Sequence, residues 1–159
     1  MPPSDPTLPV TLRDVTVDDL AIFFEHQQDP IANRMAAFPA RSWAEHLAHW
    51  RAILREPSVR TRTILCGEEV AGSVVSYINE GVREVGYWLG REFWGKGIAT
   101  RALAEFLTGE PTRPLYAHTA KHNIGSRRVL EKCGFSIIGE DSYPDPDGTV
   151  IEEFVWRLD

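Results

Sequence analysis

The chain has 159 residues, 43% hydrophobic and 25% charged, with five Trp, seven Phe and four Tyr; this suffices for one domain with a real core and excludes a disordered chain. The formal net charge is −6 and no Lys/Arg run stands out, which argues against a nucleic-acid partner and is compatible with a cationic substrate such as an amine. No apolar run is long enough to cross a bilayer, and the opening MPPSDPTLPV lacks the basic region and apolar core of a secretory signal, so no membrane is expected.

Residues 1–7 are expected to be a flexible, proline-rich leader to a single domain. Leu8 to Arg13 reads as a first strand. In TVDDLAIFFEHQQDP, Thr16 is expected to cap a helix whose stripe is Leu20, Phe23 and Phe24, and Pro30 limits it. RMAAFPAR reads as a loop. SWAEHLAHWRAIL is a clearer helix: Ser42 and Glu45 make a capping box, and Trp43, Leu47, Trp50 and Leu54 recur at helical spacing. RTRTILC, a turn at GEE and VAGSVVSYI read as a hairpin rich in β-branched residues, and NEG turns the chain into a further strand, VREVGYWL. After a glycine-rich turn, Ile98, Ala99, Ala102, Leu103 and Phe106 form a helical stripe ending at Thr108-Gly109. PLYAH is strand-like, NIGSRRVLEKCGF is a helix closed by Gly134, and SIIGE and VIEEFVWRL are a final pair of strands around a PDPDG turn. Hairpins argue against an all-parallel arrangement and for one mixed α/β sheet with helices on its faces.

Cys66 and Cys133 belong to no CxxC pair, so two reduced, buried thiols in a cytoplasmic protein are expected. His46 and His49 lie three apart on a helix, and His118 and His122 bracket a loop, but no HExxH-like pattern accompanies them and no metal is expected. His46 and His49 read as surface or half-buried residues. His118 ends a strand near the proposed cleft, in reach of an acceptor. Phe38, on a loop, is a candidate lid residue, whereas Trp43 and Trp50 read as the stripe of a packed helix.

The segment FWGKGIATRALAEFL places two glycines around a lysine between a strand and a helix. The first turn of a helix carries N–H groups without partners, and glycine lets an anion approach the backbone closely. Gly95, Lys96 and Gly97 therefore read either as an anion cradle or as a tight turn whose glycines only permit unusual φ values. The nucleotide P-loop spacing is absent, and G-x-G-x-x-G lacks its third glycine.

The run VGYWLGREFWGKGIATRALAEF, followed by NIGSRRVLEKCGF, resembles the GNAT superfamily of acyl-CoA-dependent N-acyltransferases, closest to its RimJ/RimL branch. The superfamily pattern Q/R-x-x-G-x-G/A falls on Trp94 to Ala99, with Trp94 in place of Gln/Arg. The resemblance implies a single GNAT-type α/β domain with a mixed, mostly antiparallel sheet of about seven strands and about four flanking helices. It implies acetyl-CoA as cosubstrate, with Trp88, Leu89, Trp94, Gly95, Lys96, Gly97, Ile98, Ala99, Thr100 and Asn123 binding it. The amides of about Gly95 to Thr100 would hold its pyrophosphate, and Asn123 its pantetheine arm; Asn123 also reads as a plain helix cap.

Acyl transfer to an amine needs a deprotonated amine, a stabilised carbonyl oxygen and a departing thiolate. The resemblance points to Glu84 as base, to the Leu89 N–H on the carbonyl, and to Ser126 near the sulfur, with Tyr143 a more distant substitute. Strand alternation puts Glu84, Gly86 and Trp88 on one face and Val85, Tyr87 and Leu89 on the other. The competing reading of Glu84 is an exposed strand carboxylate, or a partner for Arg83 or another basic residue. The acceptor is a small-molecule amine or a protein N-terminus, the protein a monomer or homodimer. A non-catalytic acyl-CoA-binding or regulatory module and a mononucleotide-binding protein are the alternatives.

Overall fold

The computed structural model describes residues 8–145 and 147–159, so the expected leader at residues 1–7 lies outside the described residues. The elements run β1 (Val10–Arg13), α1 (Asp19–Gln27), α2 (Pro30–Ala36), α3 (Trp43–Arg55), β2 (Arg60–Cys66), β3 (Glu69–Asn79), β4 (Val82–Leu89), α4 (Ile98–Thr108), β5 (Leu115–Ala120), α5 (Ile124–Lys132), β6 (Ser136–Pro144) and β7 (Val150–Leu158). One seven-stranded sheet has the order β1-β2-β3-β4-β5-β7-β6. Every neighbouring pair is antiparallel except β4 and β5.

The β3–β4 hairpin turns on Glu80 and Gly81, both at positive φ (50° and 84°), the geometry of a two-residue primed turn that matches strand twist. Two apolar layers cover the sheet. On one face α4 buries Ile98, Leu103 and Phe106 against Ile64, Val74, Val85 and Leu115; full burial of each such side chain stabilises by about 1.5–3 kcal/mol. On the other face Leu20 and Phe23 of α1 meet Trp50 of α3 over Val70 and Val75.

Three local expectations are corrected. α2 begins at Pro30 and takes the first three residues, Arg34 to Ala36, of the stretch expected as a loop: Asp29 accepts from the Ile31 N–H and Pro30 stands in the first turn, so this proline starts a helix instead of limiting the previous one. Thr16 does not cap α1; the N-cap is Asp18, without a side-chain bond, and the Thr16 N–H instead donates to Asp19. On α3 the capping box of Ser42 and Glu45 is present, yet the buried face is rotated. Trp43 and Leu54 are 44% and 42% exposed, while His46 is fully buried, its Nε2 2.8 Å from the Leu20 carbonyl. Histidine can replace an apolar residue there because that carbonyl satisfies one ring nitrogen.

Candidate functional site

β4 and β5 share only one register pair, Glu84 with Tyr116, and they splay beyond it. Hydrogen-bonded and open pairs alternate along an antiparallel ladder. The Gly90 N–H donates to the Ala71 carbonyl at 2.9 Å, so the adjacent Leu89, opposite Gly72, turns its backbone polar groups away from β3 toward the opening. Its carbonyl takes the Trp94 indole N–H at 3.0 Å, which leaves its N–H facing the split. Trp94 thus buttresses the strand end through its side chain.

Past Trp94 the chain passes through Gly95 and Gly97, both at φ +74°. Each sits in the left-handed region that glycine enters freely. A Cβ built on either meets nothing within 4 Å, so the conformational need for glycine and open space above the backbone coincide. Gly97 is the N-cap of α4, with no side-chain cap and no acidic residue in the first turn. The first-turn amides are therefore unclaimed, and the helix dipole favours an anion there. A cavity of about 550 Å³ lies against this turn. Trp88, Leu89, Trp94, Gly95, Gly97, Ile98, Ala99, Thr100, Asn123 and Ser126 all line it. Lys96 does not: its ammonium donates to the Glu92 carbonyl at 3.0 Å on the exposed side. The cations at the cavity are Arg128 and Lys132, i and i+4 on α5. Sequence reasoning missed them, although the helical spacing of RRVLEK holds that signal.

Asn123 caps α5, accepting the Ser126 N–H at 3.2 Å. Ser126 Oγ lies 2.7 Å from the Tyr87 hydroxyl. Burial pushes the Tyr87 phenol up to about 12, so it keeps its proton at neutral pH. Tyr87 was not singled out from the sequence, since only the packing of α5 across β4 brings it to Ser126. Tyr143 is on β6, not among the residues lining this cavity. Cys66 and Cys133 are free thiols; burial raises the Cys133 thiol, whose Sγ is 3.6 Å from the Thr100 carbonyl.

Glu84 is on the opposite sheet face, 5% exposed. It is not a solvated strand carboxylate, and its basic partner is His118, not Arg83, whose guanidinium binds Ser76, the Ser58 carbonyl and Glu110. Its Oε2 accepts from Asn79 Nδ2 at 2.8 Å, and its Oε1 is 3.2 Å from His118 Nε2. Tyr77 stands opposite it in the β3–β4 register. Between Glu84 and Trp88 on this face lies Gly86, where an added Cβ meets nothing within 4 Å. Trp88 donates its indole N–H to the His26 carbonyl at 3.3 Å and meets Phe38 edge-on at 6.0 Å. An open floor at Gly86 thus lies between a buried carboxylate and an aromatic wall. Among the described residues, no helix is long and apolar enough to cross a membrane.

A family model described as an acetyltransferase (GNAT) domain matches residues 10–136. No curated protein matches. Among solved structures, the spermidine N-acetyltransferase from Vibrio cholerae in complex with CoA and spermine is 19% identical over 94% of this chain and 94% of that one, with a TM-score of 0.80. An aminoglycoside acetyltransferase in complex with coenzyme A is 25% identical over 92% and 94%, with a TM-score of 0.71. A GNAT-family acetyltransferase from Bacillus anthracis is 16% identical over 94% and 93%, with a TM-score of 0.80.

Proposed function

This chain belongs to the GNAT acetyltransferase family, and from that premise we propose that it transfers an acetyl group from acetyl-CoA to a primary amine by direct attack in a ternary complex. One observation carries the reading. The uncapped start of α4, with its two left-handed glycines, and the Leu89 N–H in the β4–β5 split border the same cavity. A diphosphate suits the first, and a developing oxyanion suits the second. Trp94 at the head of the glycine pattern supports a RimJ/RimL-like position within the family.

The residues present fit acetyl-CoA. The amides of Ile98, Ala99 and Thr100, with Arg128 and Lys132 nearby, would hold its phosphates, and Asn123 and Ser126 its arm. Bound acetyl-CoA supplies the thioester carbonyl that the amine attacks. The chain's own residues supply the rest. Glu84 draws a proton from the acceptor nitrogen, a needed step because a lysine-type amine has a reference pKa of about 10.4 and an α-amine about 8. Leu89 presents its N–H to the carbonyl oxygen. Ser126, backed by the protonated Tyr87, presents an O–H to the departing sulfur. The acceptor enters over Gly86, on the face of Glu84 and Trp88. It is a small amine, of the kind the solved spermidine acetyltransferase holds, or a protein N-terminus.

The test is free-CoA release from acetyl-CoA with spermidine, ribostamycin, lysine and peptides bearing a free N-terminus, alongside calorimetry with CoA, ATP and NAD. Turnover with an amine and preference for CoA are expected. CoA binding without thiol release would instead indicate a non-catalytic acyl-CoA-binding module, and preference for ATP or NAD would remove the cofactor assignment.

A further inference from the structure

Two carboxylates approach one imidazole from its two nitrogens. Glu84 Oε1 is 3.2 Å from His118 Nε2, and Glu153 Oε1 is 3.0 Å from His118 Nδ1. A neutral imidazole carries one N–H and one lone pair. With both carboxylates ionised and the ring neutral, the lone pair faces an oxyanion at hydrogen-bond distance, which is repulsive. If the lone pair is on Nε2, Glu84 relieves that repulsion by taking a proton, and the contact becomes a hydrogen bond. In that tautomer Nε2 is the acceptor for a proton that Glu84 carries, and Nδ1–H is the donor toward Glu153. Access to solvent differs among the three: the side chains are 7% exposed at Glu84, 15% at Glu153 and 33% at His118, so both groups beyond Glu84 reach water. Asn79 already fixes the other Glu84 oxygen, so the ring is not needed merely to orient that carboxylate.

Resting on the acyl-transfer reading, we propose that Glu84, His118 and Glu153 form a proton relay that carries the acceptor ammonium's proton from the closed end of the groove to water, His118 acting through Glu84. An N–H bond of the ammonium breaks and an O–H bond forms on Glu84. That proton passes to His118 Nε2 as the Nδ1 proton passes to Glu153. Glu153 gives its proton to water, and the partly exposed ring regains the Nδ1–H form by exchange with water. The net change is one proton moved from ammonium to solvent, with the three side chains restored.

The surrounding groups do not compete for it. Tyr77 on β3 is pushed up by burial and by the charges of Glu84 and Glu153. Tyr143 on β6 is pushed up by burial and by Glu153, Asp145 and Asp141. Both phenols therefore keep their protons. Arg157 on β7 is paired with Asp159, and Arg34 lies on α2, the helix packed on β5; a guanidinium offers no acceptor for a relayed proton.

The experiment uses the full chain and the most active amine of the panel above, with kcat and KM measured from about pH 6 to about pH 9 and the CoA dissociation constant measured by calorimetry. His118→Gln and His118→Ala are expected to lower kcat about 10²-fold, the lower end of what a positioned proton-transfer group contributes, with CoA binding unchanged. Added imidazole restores His118→Ala, and Glu153→Gln displaces the pH profile. Both His118 variants within about threefold of the parent, an absence of imidazole rescue, or a Glu153→Gln profile superimposed on the parent would each overturn the relay. Ring-nitrogen NMR tests it without turnover: Glu153→Gln must move the His118 Nε2 resonance as well as Nδ1, and a change confined to Nδ1 refutes the coupling. A parent protein that binds CoA but releases none with any amine sinks the acyl-transfer reading alone, so the two failures are separable.

Discussion

Asp19→Asn tests whether the start of α1 is held by charge. Asp19 is 2% exposed. Its carboxylate accepts two Arg13 N–H groups at 2.6 and 2.8 Å, the Thr16 N–H at 2.9 Å and the Thr63 hydroxyl at 2.7 Å. Burial by itself raises a carboxyl, but these donors outweigh it and hold Asp19 at about 2 against an ordinary 3.8. Each pH unit between the folded and unfolded values is worth about 1.4 kcal/mol, so the ionised form stabilises the fold by about 2.5 kcal/mol. Screening at the Arg13 end, where the side chain is more than a third exposed, brings this to about 2 kcal/mol. The folded value lies below the unfolded one, so the contribution is complete above about pH 4 and is lost as pH falls toward 2. Urea unfolding of both proteins at about pH 7, 5 and 3 measures it. The variant is expected to be about 2 kcal/mol less stable at pH 7, with the gap closing below about pH 4. A gap that holds constant down to about pH 3, or one under about 0.5 kcal/mol at pH 7, refutes the reasoning.

Gly72→Ala builds a Cβ 2.0 Å from the Trp88 carbonyl oxygen and 3.0 Å from Leu89 Cα; as both are backbone atoms, β3 and β4 must part, and a loss of about 1–3 kcal/mol is expected in urea unfolding, with weakened CoA binding. Gly97→Ala adds a side chain at φ +74°, a strain of about 1–2 kcal/mol, and calorimetry should find poorer CoA binding; an unchanged dissociation constant would remove this turn from the site. Gly86→Val fills the open floor between Glu84 and Trp88 in a conformation that strands tolerate, so the amine KM should rise while CoA affinity stays, and equal changes in both would contradict an acceptor on that face. Tyr87→Phe removes the partner of Ser126 and is expected to lower kcat severalfold without moving the pH profile near neutrality, because a phenol at about 12 does not titrate there; a displaced profile would show that Tyr87 ionises during turnover.

The elements that local chemistry governs were legible in the residues. The capping box on α3, the Glu80-Gly81 turn, the Gly134 stop and the alternation along β4 each depend on neighbours a few positions away. The stretch from Trp94 to Thr100 was legible for the same reason, since a strand end, two glycines and an uncapped helix start are contiguous in the chain. His46 was not legible: what satisfies it is the Leu20 carbonyl, 26 residues earlier. Nor was α2, where Asp29 and Pro30 made a start that a reading of proline as a stop overlooked.

From the sequence alone came the α/β class, the order of the strands along the chain and the place of the two-glycine turn before α4, because periodicity and backbone freedom are local properties. Tertiary structure alone decided which side chains meet: Tyr87 with Ser126, His118 between Glu84 and Glu153, and Arg128 and Lys132, not Lys96, at the cavity. Those contacts depend on elements distant in the chain: His118 meets Glu84 and Glu153 because β5 lies between β4 and β7, and Tyr87 meets Ser126 because α5 returns to β4, a neighbourhood that no single segment encodes.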